Sequence, residues 1–177
     1  MLPLLDAGLS LIGLDISAEA ITRLQRRRPD RGLALIVGDL AALAPQARYE
    51  LVIGIQVFQH GTRDQAHRHI RRATERVAPD GLLCIRVNAA GTDIEHRHDV
   101  IEGDLATGFT VRYRSGPKAG LAIHFFTARE LQTAVGAGFT EVLAPRLRST
   151  QRTPPARGQW SQWEAIWQRT PAAAPEH

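Results

Sequence analysis

Four short apolar segments, separated by helical or turn-like segments, constrain the fold of this 177-residue chain more than any other feature. They are Leu9 to Leu14, Leu33 to Gly38, Leu51 to Phe58 and Leu82 to Val87. Each is nearly continuous rather than alternating, which is typical of strands buried on both faces of a parallel sheet. Strands that alternate with helices in this way predict an α/β sandwich with right-handed crossovers.

Two of the intervening segments have clear helical signals. Ser17 to Arg28 begins with a good N-cap residue and places Ile21 and Leu24 on one face. Thr62 to Val77 begins with a capping box, because Gln65 lies three residues after the threonine. Its apolar stripe consists of Ala66, Ile70, Ala73 and Val77. Both segments are therefore predicted to be helices that cover the sheet.

The second half of the chain has a different pattern. Residues 88–123 hold glycines, histidines and arginines without a sustained period, so we predict a long excursion or lid over the sheet. We predict a single domain over residues 1–170. Residues 171–177 are predicted to form a flexible tail.

Helical and strand signals return after the excursion. Thr127 and Glu130 form a second capping box. Phe139 to Leu143 and Gln162 to Trp167 are candidate strands with no helix between them. Two consecutive strands of this kind predict an antiparallel hairpin that closes the sheet.

Composition indicates a soluble, cytoplasmic protein. Apolar residues make up 44% and charged residues 23% of the chain, as in ordinary globular domains. Cys84 is the only cysteine, which excludes an internal disulfide and favours a reducing compartment. No apolar segment is long enough to cross a membrane. The net charge of +4 comes from dispersed basic residues without interleaved aromatic residues, so we expect no nucleic-acid partner.

Polar side chains follow three of the predicted strands. Asp15 and Asp39 end the first and second strands, and Gln56 and His60 follow the third. Ligands of open α/β sheets bind at the carboxyl ends of the strands. An acidic group after the first strand is suited to the hydroxyls of a ribose, and Asp39 to an adenine amino group. Each aspartate alone would also be a common cap, but the pair predicts a nucleoside site.

The order and spacing of these segments resemble the core of class I S-adenosylmethionine-dependent methyltransferases, from about Leu4 to Asn88. That family has acidic residues after its second and third strands and a Pro-Gly-Gly turn before its fifth. The matching residues are Asp15, Asp39 and Pro79-Asp80-Gly81, in the segments LIGLDISAEAI, VGDL, YELVIGIQVFQH and APDGLLCIRVN. The resemblance implies a three-layer Rossmann-like sandwich whose sheet is mostly parallel, with an antiparallel C-terminal strand.

The same resemblance implies S-adenosylmethionine as the cofactor and assigns residues to it. Asp15, with Ile16 beside it, would bind the ribose hydroxyls. Asp39 and the backbone of Leu40 would lie near the adenine. Gln56 would lie near the methionine part of the cofactor.

His60 is the candidate catalytic residue. The family often places a histidine or an aromatic residue beside the transferable methyl group at this point of the chain. An imidazole there would orient the substrate or accept a proton, since it titrates near neutrality. The alternative is a structural role.

The excursion contains candidate substrate-binding residues. The segment VRYRSGPKAG holds Arg112, Tyr113, Arg114 and Lys118. Arginine side chains suit carboxylates and phosphates, so we predict substrate binding by Arg112, Tyr113 and Arg114 with a preference for an anion. The alternative is an exposed hairpin around Ser115-Gly116-Pro117.

One departure from the family is large. The family's glycine-rich loop joins its first strand to its first helix, and this sequence contains no match to that strand and loop. Met1 to Gly8 resembles the end of the first helix, and Gly136 to Gly138 has the position of a helix C-cap. We therefore expect an N-terminally truncated fragment that binds the cofactor weakly or not at all.

Several other residues are candidates for functional sites. His96 and His98 have a spacing found in metal sites, but no second ligand cluster accompanies them, so we predict no metal site. We expect His67 and His69 on the solvated side of a helix. Cys84 is expected in the core, as are the aromatic residues Trp160, Trp163 and Trp167, whose spacing fits either a helix or a strand.

The sequence thus predicts methyl transfer to an unidentified acceptor, most simply a small molecule. One alternative is a non-catalytic Rossmann-like binding module or a degenerate methyltransferase. Another is a nicotinamide-dependent oxidoreductase, because those enzymes also place an acidic residue after the second strand. Asp39 and the antiparallel ending favour the methyltransferase. The oligomeric state is left open.

Overall fold

The computed structural model describes residues 2–27 and 32–171 of the chain. The chain divides into two compact units, residues 1–47 and residues 48–177. The single domain expected over residues 1–170 stays a prediction. The expected tail lies outside the described residues, except for Pro171.

The first unit is built around two parallel strands. After the short helix α1 (Leu2–Asp6), strand β1 (Leu11–Asp15) pairs in register with β2 (Leu33–Val37). Helix α2 (Ala18–Arg27) connects them, and the Ser17 hydroxyl caps it by accepting from the Ala20 N–H at 3.1 Å. The predicted strand–helix–strand order is confirmed here.

The second unit contains a four-stranded mixed sheet in the order β3-β4-β9-β8. Strand β3 (Tyr49–Ile55) runs parallel to β4 (Val77–Asn88), and helix α3 (Arg63–Thr74) connects them. Strands β8 (Phe139–Gln151) and β9 (Gln159–Arg169) form a hairpin, and β9 pairs antiparallel with β4. The predicted C-terminal hairpin is confirmed, with longer strands than expected.

The turn predicted at residues 79–81 lies within the first half of β4. Asp80 has a φ of +61°, and the pairing with β3 shifts between Tyr49, which faces Val77, and Leu51, which faces Leu82. A Cβ on Gly81 would meet the carbonyl oxygens of Ala78 and Tyr49 at 2.9 and 3.0 Å. Glycine is therefore required where the two strands approach closely.

The predicted excursion contains a second, antiparallel sheet. Its strands, in spatial order, are β5 (His98–Asp104), β6 (Gly108–Tyr113) and β7 (Ala122–Phe125). The sequence does not show them because each strand is short, and glycines with positive φ, at Gly103, Gly108, Gly116 and Gly120, interrupt the pattern. Helix α4 (Ala128–Val135) follows β7 and begins with the predicted Thr127–Glu130 capping box.

The core of the second unit lies between these elements. The predicted apolar stripe is fully buried, but α3 ends at Thr74 and Val77 begins β4, which corrects the predicted end of the helix. Large side chains from β4, β7 and β9 are buried as well. Trp160, Trp163 and Trp167 all lie on β9, so the strand interpretation of their spacing is the correct one. Cys84 is half-buried, and burial raises the pKa of its thiol, which lowers its reactivity.

The architecture is α/β with mixed sheets, in agreement with the predicted class. Among the described strands, β1–β2 and β3–β4 are the parallel pairs and the other pairs are antiparallel. No helix within residues 2–27 and 32–171 has both the length and the apolar character that a membrane crossing requires.

Candidate functional site

Asp15 and Asp39 lie at the same edge of the first unit's sheet. Asp15 is the last residue of β1 and pairs with Val37, the last residue of β2. The Gly38 N–H donates to the Asp15 carbonyl oxygen at 2.9 Å, and Asp39 follows directly. Both aspartates are exposed. The parallel pairing thus brings together the two acidic residues that the sequence placed after consecutive strands.

Both carboxylates also act as local caps. Asp15 Oδ1 accepts from the Ser17 N–H at 2.8 Å, and Asp39 Oδ1 accepts from the Ala41 N–H at 2.8 Å. Ile16 is 81% exposed, and Leu40 begins the 3₁₀ turn that Asp39 caps. A carboxylate has about four acceptor sites. A capping role is therefore compatible with ligand binding.

Gln56, directly after β3, is strained and has an unpaired donor. Its φ of +59° lies in the left-handed region, which is uncommon for a residue other than glycine. Its side-chain oxygen accepts from Gln59 Nε2 at 2.6 Å, but its own Nε2 is buried without a hydrogen-bond partner among the described residues. Strain and an unsatisfied buried donor each cost roughly 1–3 kcal/mol. The strained backbone and the unpaired donor thus occur at the same residue, and this donor is able to bind an acceptor group of a ligand.

His60 lies in a segment that β7 holds in place. The Gly61 N–H donates to the Ala122 carbonyl at 2.9 Å, and the His124 N–H donates to the Gln59 carbonyl at 2.8 Å. His60 itself forms a β-bridge with Ile123, and the residue is exposed. The backbone at this position is therefore fixed while the histidine stays accessible.

A cavity of about 200 Å³ opens at the carboxyl end of β4. Its polar and charged walls come from Asn88, Thr92, Glu95, His96, Lys118 and Arg152. Its apolar and aromatic walls come from Ile94, Tyr113, Pro117, Phe125 and Trp160. A second, more open cavity of about 450 Å³ lies beside it and shares Ile94 and Glu95 with it.

Of the three predicted substrate-binding residues, one lines this cavity and two do not. Tyr113 lines it, whereas Arg112 and Arg114 do not. Arg112 precedes Tyr113 on strand β6, where successive residues point to opposite faces, and Arg114 follows the end of the strand. Arg112 Nη1 instead donates to the Gly120 carbonyl at 3.3 Å, and Arg114 pairs with Asp99. Sequence reasoning did not identify Arg152, which reaches the cavity from the end of β8.

A buried ionic network lies in the same unit, centred on Glu130. Its Oε1 contacts Arg63 Nε at 2.7 Å, His67 Nε2 at 2.9 Å and His124 Nε2 at 3.0 Å. The Glu130 side chain is only 4% exposed. Burial alone would raise the pKa of Glu130, but the hydrogen bonds from His124 and His67 and the charges of His124 and Arg63 lower it to about 2.

The network continues through β6 to β5. Thr110 Oγ1 lies 2.8 Å from His124 Nδ1, and the Arg63 N–H donates to Glu102 Oε1 at 2.6 Å. Burial raises the pKa of Glu102, but hydrogen bonds to its carboxylate from the Arg63 N–H and the Thr110 hydroxyl, and the charges of His124 and Arg63, lower it overall. His67 is thus a partner of a buried carboxylate, which corrects its expected place on a solvated face.

The donor atoms of His67, His124 and Glu130 lie within 4.8 Å of one another, a spacing that a metal ion also requires. The Arg63 guanidinium bonds the same carboxylate oxygen, so the contacts present are those of an ion-pair network. His96 and His98, the sequence-based metal candidates, are linked only locally: His98 Nδ1 lies 2.8 Å from the His96 carbonyl oxygen.

Comparisons with known proteins agree with the fold. Residues 1–81 match the family model described as a methyltransferase domain. The chain has the class I S-adenosylmethionine-dependent methyltransferase fold, which confirms the resemblance seen in the sequence. No curated protein sequence matches the chain significantly.

Solved structures of methyltransferases share this fold at low sequence identity. One is the Burkholderia thailandensis 1,6-didemethyltoxoflavin-N1-methyltransferase, with its substrate and S-adenosylhomocysteine bound (19% identity, TM-score 0.61, 94% of this chain and 64% of that one). A second is the N-methyltransferase NodS from Bradyrhizobium japonicum with S-adenosylhomocysteine (15%, 0.57, 94% and 67%).

A third is an S-adenosylmethionine-dependent methyltransferase from Methanosarcina mazei (16% identity, TM-score 0.65, 97% of this chain and 87% of that one). The present chain thus spans less than two thirds of the length of the Burkholderia enzyme and most of the length of the Methanosarcina protein.

Proposed function

We propose that this chain acts in S-adenosylmethionine-dependent methyl transfer to a small-molecule acceptor. The observation that carries the proposal is the pair Asp15 and Asp39 at one edge of a parallel sheet, in a segment that matches a methyltransferase-domain model. Two of the structurally similar enzymes were crystallised with S-adenosylhomocysteine, and one of them also with 1,6-didemethyltoxoflavin. A cytoplasmic location and independence from nucleic acid belong to the same proposal.

The residues present fit this cofactor. The exposed Asp15 carboxylate, with Ile16 beside it, suits the ribose hydroxyls, and Asp39 with the Leu40 backbone suits the adenine amino group. The unpaired Gln56 Nε2 is a hydrogen-bond donor that suits the carboxylate of the methionine part. When bound, the cofactor supplies a methyl group activated by its sulfonium centre.

The protein's contribution is mainly one of positioning. Transfer of a methyl group from a sulfonium is a direct displacement, so aligning the acceptor and excluding water supply much of the rate. In our proposal His60 orients the acceptor, and it accepts a proton where the acceptor must lose one. This accounts for a site with recognisable cofactor residues and few catalytic groups.

The direction of the last strand argues against the oxidoreductase alternative. Strand β9 runs antiparallel to β4, whereas a parallel final strand would have favoured a nicotinamide-dependent enzyme. The non-catalytic module remains the alternative that an experiment must separate from the enzyme.

Titration with S-adenosylhomocysteine, followed by saturation-transfer NMR, tests the proposal because this method detects weak binding. We expect binding weaker than micromolar, since the only Gly-x-Gly of the sequence, at 136–138, begins at the C-cap of α4 and supplies no glycine-rich loop after a strand. Asp15→Ala should weaken it roughly tenfold or more, because hydrogen bonds to a charged group are lost.

The matched control is Glu19→Ala. Glu19 is also exposed, and within the described part of the chain its ion-pair partner is Arg23, one helical turn away, so its loss should leave binding unchanged. An absence of saturation transfer at millimolar ligand, or equal binding by the wild type and Asp15→Ala, would favour the non-catalytic module.

A further inference from the structure

We propose that the cavity at the carboxyl end of β4 binds the acceptor, and that this acceptor is a flat, ring-bearing molecule with an anionic oxygen group such as a carboxylate. The acceptor role rests on the proposed function, whereas the binding chemistry rests on the cavity alone. This assignment moves the anion preference from Arg112 and Arg114 to Lys118 and Arg152.

The aromatic walls suit a flat ring. Tyr113 and Phe125 are buried, and the Phe125 ring stacks on Phe109 with centroids 5.1 Å apart and planes inclined by 8°. Trp160 is fixed by a hydrogen bond from its Nε1 to Asn88 Oδ1 at 3.1 Å. Trp160 is 40% exposed, so its fixed ring presents a rigid face on which a planar ligand stacks at little entropic cost, whereas the buried Tyr113 and Phe125 form the apolar base of the cavity.

Two cations supply the charge. Arg152 donates from Nη2 to the Asp93 carbonyl at 2.7 Å, but its Nε–H is buried and has no partner among the described residues. Its contact with Glu95, at 3.7 Å, is an ion pair too long for a hydrogen bond. Lys118 Nζ lies 5.8 Å from the centre of the Tyr113 ring. Lys118 and Arg152 against Glu95 leave the lining with one net positive charge.

The mutual repulsion of Lys118 and Arg152 favours the binding of an anion between them. Burial, and then the charge of Arg152, lowers the pKa of Lys118, so the two groups disfavour each other in the absence of a ligand. An anionic group between them would relieve that repulsion and would pair the Arg152 donor. The volume of about 200 Å³ is below that of pockets for drug-sized ligands and is compatible with one or two rings.

The test compares two probes of the same shape, 2-naphthoate and 2-naphthamide, by titration of the full chain with ligand-observed NMR. We expect the anion to bind about tenfold more tightly than the neutral amide. Lys118→Met and Arg152→Gln should each reduce this preference to about twofold or less. Arg112→Met is the control, since it removes a positive charge from the neighbouring strand position and should leave the preference intact.

Equal affinity for the two probes, no binding of either at millimolar concentration, or a preference that survives both substitutions would overturn the assignment. S-adenosylhomocysteine binding is measured on the same samples. Loss of the naphthoate preference with that binding intact overturns only the cavity assignment. An intact preference without S-adenosylhomocysteine binding overturns the proposed function and leaves the anion site standing.

Discussion

Glu130 concentrates three positively charged or polar donors on one buried carboxylate oxygen, and its ionisation should be visible in the stability of the protein. Its pKa is about 2 in the folded chain against an ordinary value of 4.5. Because the folded pKa is depressed, the ionised form stabilises the fold above pH 4.5. That stability is lost as the pH falls from 4.5 towards 2.

We therefore expect the free energy of unfolding to fall by up to about 3 kcal/mol across this interval through Glu130 alone. Urea denaturation of the wild type and of Glu130→Gln at pH 5, 4 and 3 measures it. The variant should be less stable at pH 5, because the partners of Glu130 lose the carboxylate that they contact, and its stability should depend less on pH. Asp64→Asn, an exposed carboxylate on α3, should keep the wild-type pH dependence. Parallel slopes for the wild type and Glu130→Gln would contradict the expectation.

The sequence signal for Glu130 was partial. The Thr127–Glu130 spacing predicted its capping role correctly, because a capping box is a local pattern. Its second role depends on His67, which is 63 residues away in the chain, and no local spacing reports such a contact. Gln56 is a similar case: the sequence placed it after a strand, but its strain and unpaired donor belong to the folded backbone.

At the scale of the elements, strand β9 joins the hairpin to the rest of the second unit. It pairs with β4 on one side and with β8 on the other. Trp167 is 2% exposed and belongs to the core, whereas Trp160 is 40% exposed and lies at the cavity. We therefore expect Trp167 to contribute to stability and Trp160 to contribute to the cavity, although both lie on β9.

Trp167→Ala should destabilise the fold by about 3–5 kcal/mol, because it removes a large buried side chain and leaves a cavity. Trp160→Ala is the comparison within the same strand. It should cost much less stability, and it should weaken the binding of both 2-naphthoate and 2-naphthamide. Urea denaturation with probe titration of the same samples gives both numbers. Similar losses of stability in the two variants would show that this division is wrong.

Element type was predictable where a period or a cap was strong. The capping boxes of α3 and α4, the four apolar strands and the terminal hairpin all follow from patterns within a few residues. The sheet β5-β6-β7 was not found, because its strands are short and separated by glycines in left-handed conformations. Without β6 assigned as a strand, the alternation that separates Tyr113 from Arg112 could not be applied, and the end of the strand before Arg114 was not apparent.

The order of strands and helices along the chain predicted the α/β class correctly, since parallel strands with intervening helices allow few topologies. The meeting of Asp15 and Asp39 at one edge follows from the same rule. The cavity was not predictable, because its lining combines residues from β4, β6, β7 and the β8–β9 hairpin. Contacts of that range are fixed only by the tertiary fold.

The net charge of +4 and the sequence pI of about 10.2 favour weak, non-specific binding of the whole protein to nucleic acid. Dispersed basic residues attract nucleic acid only through its phosphates, and such binding is weak and salt-dependent. We expect fluorescence anisotropy with a 20-base-pair duplex to give a dissociation constant on the order of 10⁻⁴–10⁻⁶ M at physiological salt. About four basic residues in contact with phosphates would make the affinity fall by roughly 100-fold between 50 and 200 mM salt.

Duplexes of different sequence should bind alike, and a single strand should not quench the fluorescence of the exposed Trp160 at 200 mM salt. Aromatic stacking on bases is largely insensitive to sequence, and its contribution persists when phosphate contacts are screened. Salt-resistant binding of a single strand with tryptophan quenching would therefore mean that the cavity beside Arg152 accepts a nucleobase. In that case the acceptor would be a nucleic acid, and the small-molecule proposal would fall.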